Sequence, residues 1–434
     1  MSNTVNIFWF RRDLRLNDNV GFYNALKSKH SVVPIFIFDP DILNKFPKDD
    51  PRVTFIYQSL QKMRQSLLDK YGSSIAMYFG RPEDIFKRLI KDYKVNSVYT
   101  NHDYEPYATA RDTKIELLLA EHNIEFKTFK DHVIFEKSEI VKKDGEPYKV
   151  YTPYMRKWKE KFKALDFKCY VTEAHFNNLI KDSELPNLSL SEIGFLKSPQ
   201  EIKPYKISPS LIQQYEDTRN FPAKDSTSRL GIHLRFGTVS IRKMIEKAIA
   251  ETNEIFWQEL IWREFFIQIL WHYPYSKDNA FKPKYDRIQW RNNEDEFKKW
   301  CDGQTGYPLV DAGMRQLNKT GFMHNRVRML AASFLCKHLL IDWRWGEAYF
   351  AEKLHDYEMA SNVGNWQWVA GCGVDAAPYF RIFNPTTQIQ KFDKNLDYIK
   401  KWVPEYQELT YPLPIVDHKS ARERCLNTYK SAIS

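Results

Sequence analysis

The sequence predicts an α/β N-terminal domain, a parallel sheet with helices on both faces, joined to a larger all-α C-terminal domain. Three observations predict it. The first part of the chain alternates short apolar runs with amphipathic helical patterns, as a buried parallel sheet requires. From about Pro209 onward, helical spacing dominates. At 434 residues the chain is also long for a single core. The boundaries read from the pattern are 1–130 for the α/β domain, 131–208 for an interdomain connection and 209–434 for the helical domain.

The elements follow in order. "TVNIFWF", "SVVPIFIFD", "SIAMYFG", "SVYTN" and "IEFKTFK" read as five short strands. Between them, Arg52 to Lys70, Pro82 to Tyr93 and Tyr104 to His122 carry helical patterns. The loop "RRDLRLNDN" after the first strand holds no glycine, so it is not a dinucleotide fingerprint. From Asp131 to Ser208 the period weakens among charged, Pro and Ser clusters, which reads as a long surface connection with some helix. Then "IFWQELIWREFFIQILWHY" is a helix, "LVDAGMRQLNKTG" is a second with Gly321 as its C-cap, and "MHNRVRMLAASFLCKHLLI" is a third.

Composition narrows the function. Lys and Arg number 65 against 55 Asp and Glu, a net charge of +10, which suits a polyanion such as nucleic acid or simply a Lys-rich solvated surface. Aromatic residues reach 15% with 12 Trp, an excess that asks for packing, stacking or electron transfer. The five cysteines, Cys169, Cys301, Cys336, Cys372 and Cys425, form no CxxC pair, so a reducing cytoplasm is expected rather than a disulfide framework. No signal peptide or membrane span is read from the apolar runs. The P-loop, HExxH and GxSxG motifs are absent. Gly371, Gly373 and Ala376 fit GxGxxA, but no strand leads into them and Pro378 follows at once.

Four clusters remain, each with a plain structural alternative. Glu259, Trp262 and Arg263 share a helix face, either as a site or as an exposed Glu–Arg pair beside a core tryptophan. Asn325 and Met329 share another face, with Arg328 beside it. Asn matches an adenine edge and Met makes an adaptable wall, or Asn325 is an ordinary mid-helix residue. Thr227, Ser228 and Gly231 in "DSTSRLG" sit where a helix should begin, as a phosphate cradle or a simple N-cap. "LHDYEMASNVGNWQW" offers Asp356 and Glu358 to Arg263 or Arg328, or is a solvated acidic helix end. Taken together, flat walls, a phosphate cradle, an adenine reader and buried carboxylates suit a large aromatic nucleotide cofactor.

The stretches "FWFRRDLRLNDN", "YKVYTPY", "TSRLG", "WREFF", "TGYPLVDAGMRQL", "GFMHNRVRM" and "NWQWVAGCGVDAAPYFRIFNP" resemble the cryptochrome/photolyase family, in order, from Ile7 to about Tyr406. Within it the chain is most similar to class I photolyases that repair cyclobutane pyrimidine dimers. The resemblance implies FAD, active when reduced, and light-driven electron transfer to a dimer in damaged DNA. The alternative within the family is a blue-light photoreceptor of cryptochrome type without repair. A cytoplasmic monomer is expected, nucleoid-associated if bacterial.

The resemblance also implies roles for single residues. Tyr215 and the stretch Thr227, Ser228, Arg229, Leu230 and Gly231 match FAD phosphate and ribityl contacts, with Gly231 in place of a frequent Ser. Arg263 matches a residue beside the flavin, and Arg328 with Asp356 a buried ion pair under it. Asp356, Tyr357 and Glu358 match the isoalloxazine edge, and Asn362 the position facing flavin N5. Asn325 also counts among the cofactor contacts. Glu259, Trp262, Asn325, Met329 and Trp368 match the dimer pocket, where Glu259 hydrogen-bonds a thymine carbonyl and stabilises its radical anion. Enzymes for (6-4) photoproducts tend to carry a His pair where this chain has Asn325 and Met329. Trp366, Trp343 and Trp290 match a photoreduction chain. Arg219, Arg326, Arg381 and Lys391 match DNA-facing positive positions. A second antenna chromophore stays open among folate, a deazaflavin, another flavin or none, since Tyr107 and Ala108 stand where folate binders have Asn and Glu.

Overall fold

The computed structural model describes residues 4–433. All five apolar runs form strands: β1 Thr4–Phe10, β2 Ser31–Phe38, β3 Ala76–Phe79, β4 Lys94–Asn101 and β5 Glu125–Phe129. They make one parallel sheet in the order β3-β2-β1-β4-β5. The chain leaves β1 toward one edge and returns at β4 toward the other, so the sheet is doubly wound.

Alternation along the strands builds two cores. Phe8, Phe10, Phe36 and Phe38 pack on one face with the Pro51–Tyr71 helix, through Val53, Leu60 and Leu67. Ile7, Trp9, Ile35 and Ile37 pack on the other, against Ile85, Phe86 and Leu89 of Pro82–Asp92 and Ile115 and Leu119 of Pro106–Glu121. Each of these three helices starts with a proline, whose missing N–H costs nothing at that position. Pro34 is tolerated inside β2 because β3 pairs only with Ile35–Phe38.

The chain folds into two compact units, and they interleave in sequence. The first comprises the described part of Met1–Glu136 with Lys161–Tyr205 and Arg229–Ala250. The second comprises Lys137–Glu160, Lys206–Ser228 and the described part of Glu251–Ser434. These limits differ from the 1–130, 131–208 and 209–434 read from the sequence: the stretch read as a connection divides between the units. A buried ion cluster explains why 229–250 joins the first. Arg242, at the start of the Ile241–Ile249 helix, donates to Asp18 at 2.9 Å and Asp131 at 2.8 Å, and Arg15 reaches Asp131 at 2.6 Å. The second unit takes most of the Tyr151–Lys163 helix. There Tyr151 stacks on Trp262 and Trp158 donates its indole N–H to the buried Glu264.

In the second unit the expected helices appear as Glu254–His272, Pro308–Thr320 and Asn325–Ser333. Gly321 caps the second with φ +62°, as read from the sequence. The third is shorter than expected. At Phe334 the backbone opens into a π-helical turn to Leu339, and Leu340 takes a left-handed φ of +53°. Within that turn Lys337 is fully buried and donates to the carbonyls of Ala370 and Tyr379 at 3.0 and 3.1 Å.

Burial alone would raise the Asp131 pKa, but Arg15 and Arg242 outweigh it and hold the carboxyl well below its usual range. A depressed folded-state pKa gives stability that is complete above the unfolded value of about 3.9 and is lost as pH falls through the folded one. Asp131→Asn strips the charge from this pair of arginines and is expected to cost about 3–5 kcal/mol at neutral pH. Urea denaturation measures it, and the gap to the parent protein is expected to narrow in strong acid.

Candidate functional site

Three helices of the second unit each turn a stripe of residues toward one cavity. Glu254–His272 presents Glu259, Trp262, Arg263 and Phe266, spaced i, i+3, i+4 and i+7. Asn325–Ser333 presents Asn325, Arg328, Met329 and Ala332 at the same spacing. Met359–Ala370 presents Ser361, Asn362, Asn365, Trp366, Trp368 and Val369. Phe350 and Leu354 close one side, together with the loop residues Asp356, Tyr357 and Glu358. The cavity measures about 340 Å³.

Charge pairs fix its floor. Arg263 Nε donates to Glu358 at 3.0 Å, and only about a tenth of either side chain is exposed. Arg328 makes a two-pronged contact with Asp356, at 3.1 and 2.9 Å. This second pair was expected to be buried. It is 24% and 22% exposed, because it faces the open cavity. The acidic stretch is therefore not a solvated helix end. Asn362 Nδ2 donates to Glu347 Oε1 at 2.9 Å and to its carbonyl at 3.2 Å, which leaves Oδ1 for a ligand. Burial raises the Glu347 pKa, opposed by the hydrogen bonds from Asn362 and Tyr357.

At the mouth, Glu259 accepts from Arg219 at 2.6 Å. Arg219 also lies 5.2 Å from the Tyr215 ring, which packs edge-on against Phe256. Trp262 lines the cavity, with Tyr151 stacked behind it at 3.6 Å and 9°. Arg381 approaches the Trp368 ring at 5.8 Å. Arg326 reaches Asn220 at 2.5 Å and lies over Phe392, as Lys391 does. Burial, then Arg219 and Arg381, lower the Arg326 pKa, so three guanidinium groups crowd together. Burial and the nearby arginines also push His324 down to about 4.

A family profile described as the FAD-binding domain of DNA photolyase matches residues 256–410, and one for DNA photolyase matches 6–173. The chain is 36% identical to a deoxyribodipyrimidine photo-lyase of Agrobacterium fabrum, across 98% of this chain and 97% of that protein. It belongs to the photolyase/cryptochrome family. Among solved structures, a bacterial class III photolyase from Agrobacterium tumefaciens superposes with a TM-score of 0.87 at 33% identity, covering 100% of this chain and 98% of that one. An archaeal photolyase from Sulfolobus tokodaii, solved with two FAD molecules, gives 0.84 at 35% identity, over 98% and 99%. A cryptochrome from Synechocystis gives 0.84 at 26%, over 99% of both chains. The likeness thus extends beyond class I photolyases.

Every wall residue of the photolyase-family cavity except Arg219 falls inside the matched FAD-binding stretch. The side chains fit such a cofactor: aromatic planes, two anchored guanidinium groups and an amide with a spare acceptor. Of the expected residues, Glu259, Trp262, Arg263, Asn325, Arg328, Met329, Asp356, Tyr357, Glu358, Asn362, Trp366, Trp368 and Arg219 line it. Asn325 is the first residue of its helix rather than a mid-helix one. Tyr215, Thr227, Ser228, Arg229, Leu230, Gly231, Arg326, Arg381, Lys391, Trp290 and Trp343 are not wall residues. Neither Thr227 nor Ser228 is the N-cap of the next helix, which is Gly231–Arg235: its N-cap is Leu230, and Arg229 takes φ +54°. Tyr107 is engaged with Asp39 at 2.5 Å.

Sequence reasoning missed Glu347, Tyr151, Phe266 and Phe350. A carboxylate among the aromatics of "WRWGEAYF" was the one available signal. Gly346, in that same segment, has a clear reason. A Cβ there would lie 2.1 Å from the Trp366 ring and 2.6 Å from Leu335. Gly346→Ala is expected to destabilise the protein by about 1–3 kcal/mol through overpacking. It is also expected to shift Trp366 in the cavity wall, with reduced flavin retention. Urea denaturation and flavin absorbance of the purified protein measure the two effects.

Proposed function

We propose that this protein repairs cyclobutane pyrimidine dimers in DNA under blue light. What supports the reading is one juxtaposition: the residues matched to the lesion and those matched to the flavin line the same cavity. Reduced FAD, when bound, supplies the photoexcited electron. Arg263 and Arg328 keep their positions through Glu358 and Asp356, so positive charge faces the ligand without rearrangement. Trp262 and Trp368 offer indole faces to bases taken out of the duplex, the step photolyases share with other base-flipping enzymes. With Tyr151 on one side, Trp262 has a single face left to give. Glu259 meets the polar edge of a thymine. Arg219, Arg326, Arg381 and Lys391 add attraction to phosphates that is independent of sequence and weakened by salt.

The protein is proposed to act as a monomer on damaged DNA. Among the described residues no helix is long and apolar enough to cross a membrane. A second flavin is a candidate antenna, by analogy with the archaeal protein solved with two FAD molecules.

Illuminating the reduced, FAD-loaded protein with dimer-containing single-stranded DNA tests the reading. Loss of dimers under blue light, and none in the dark, is expected. Dimers that persist would assign the protein to the photoreceptors. Glu259→Gln is expected to lower the repair yield per absorbed photon. It is also expected to leave undamaged-strand affinity unchanged or raised, because it releases Arg219 for phosphate. A parallel loss in both would remove Glu259 from its assigned role.

A further inference from the structure

We propose that the buried Lys337 is a positioning residue for DNA binding: from beneath, it holds the loop 371–384 that presents Arg381 to the strand. The proposal rests on the reading of this protein as a DNA-repair enzyme with Arg381 on its DNA-facing surface.

Lys337 lies in the π-helical turn Phe334–Leu339 and is 0% exposed. Among the described residues no carboxylate pairs with it; the titratable groups near it are the thiols of Cys336, Cys372 and Cys425. Its partners are the Ala370 carbonyl at 3.0 Å, the Tyr379 carbonyl at 3.1 Å and the face of the Tyr429 ring at 3.9 Å. All three accept, which matches the three N–H donors of an ammonium. Burial lowers the Lys337 pKa, so the charge is held there at a cost. A methionine would fill a similar volume without that cost. What the charge adds is a bridge. Ala370 ends the Met359–Ala370 helix of the cavity wall, and Tyr379 belongs to the loop beyond it.

That loop is fixed unevenly. Its first half is strapped to the helix end. The Cys372 and Gly373 N–H groups donate to the Gln367 carbonyl at 3.1 and 3.0 Å, and the Ala377 N–H donates to the Trp368 carbonyl at 3.2 Å. Asp375 accepts from the Tyr151 N–H at 3.1 Å. Its second half, 378–384, rises to an exposed tip at Phe380 and Arg381. There the Arg381 N–H donates back to the Pro378 carbonyl at 2.8 Å, closing a turn around Tyr379 and Phe380. Beneath the turn, Lys337 takes the Tyr379 carbonyl, and the Tyr379 ring lies parallel to Tyr429 at 6.0 Å and 8°. The charge-assisted bond therefore meets the backbone two residues before Arg381. The Arg381 guanidinium stands 5.8 Å from Trp368 of the cavity wall. Fixing the turn fixes the distance between a phosphate held by Arg381 and bases beside Trp368.

Amide hydrogen exchange and DNA binding of the full-length, reduced, FAD-loaded protein test this. The variant is Lys337→Met and the probe a dimer-containing single-stranded oligonucleotide. Exchange across 379–383 is expected to quicken while that of the Met359–Ala370 helix holds. Affinity is expected to fall roughly tenfold, as the loss of one charge-assisted hydrogen bond predicts. Flavin content and repair yield at saturating DNA are expected to stay within about twofold of the parent protein. Adding Lys337→Met to Arg381→Ala is expected to weaken binding by less than about twofold more, because both act through one contact. Unchanged loop exchange or unchanged affinity overturns the proposal. So do losses that add in the double variant. A fall in flavin content and repair yield that matches the fall in affinity also overturns it, since it marks a residue that only supports the fold. Should Lys337→Met not fold, Lys337→Gln, which keeps an N–H donor without the charge, is read by the same measurements. A parent protein that does not bind the oligonucleotide overturns the DNA reading, and the proposal with it, and is told apart because no variant is involved.

Discussion

The cavity depends on how one short loop spends its charges. Between the Trp343–Lys353 and Met359–Ala370 helices, Asp356 takes Arg328 and Glu358 takes Arg263. Each arginine belongs to a different helix, so two ion pairs tie two helices to this loop at fixed spacing around the ligand space. The loop is itself anchored, since the His355 N–H donates to the Gly321 carbonyl at 2.9 Å. Gly321 sits so close to the His355 ring that a Cβ there would lie 2.0 Å from it. Breaking one side of the buried pair would strand a charge, which typically costs more than the intact pair contributes.

Around that frame, close packing rather than charge sets the shape. Glycines occur where helices must approach aromatic rings: Gly346 against Trp366, and Gly364 against Phe266, where a Cβ would lie 2.2 Å away. The aromatic excess resolves into two uses. Some rings, such as Trp158 and the phenylalanines of the sheet, fill cores. Others, around Trp366, Trp300 and Phe350, form a connected array beside the cavity.

Parts of this were legible in the sequence because they are local. Strand runs, the Glu254–His272 and Pro308–Thr320 helices and the Gly321 cap depend on neighbours a few residues away, and each appeared in place. The pairing of Asp356 and Glu358 with Arg263 or Arg328 was open in the sequence as one of two readings, and the resemblance singled out only Arg328 with Asp356. Local rules gave out at three points. The helix expected through Ile341 stops at Ser333, where burying Lys337 against two distant carbonyls favours a wider turn. Thr227 and Ser228 read as a helix start, yet the helix begins at Gly231. Arg328 and Asp356 line an opening rather than a closed core.

By itself, then, the amino-acid order determined the two architectures, the faces of each helix and, through the motifs of the family, the cofactor class. Tertiary structure alone decided that residues 229–250 join the sheet-bearing unit, because the charges of Asp18, Asp131 and Arg242 meet only when segments more than a hundred residues apart fold together. It also decided that Glu259 faces Arg219, that Tyr151 covers one side of Trp262, and that Trp300 touches Trp366. Such contacts join positions with no fixed spacing, so no period along the chain encodes them; they are set by the volume and charge left when the helices close-pack.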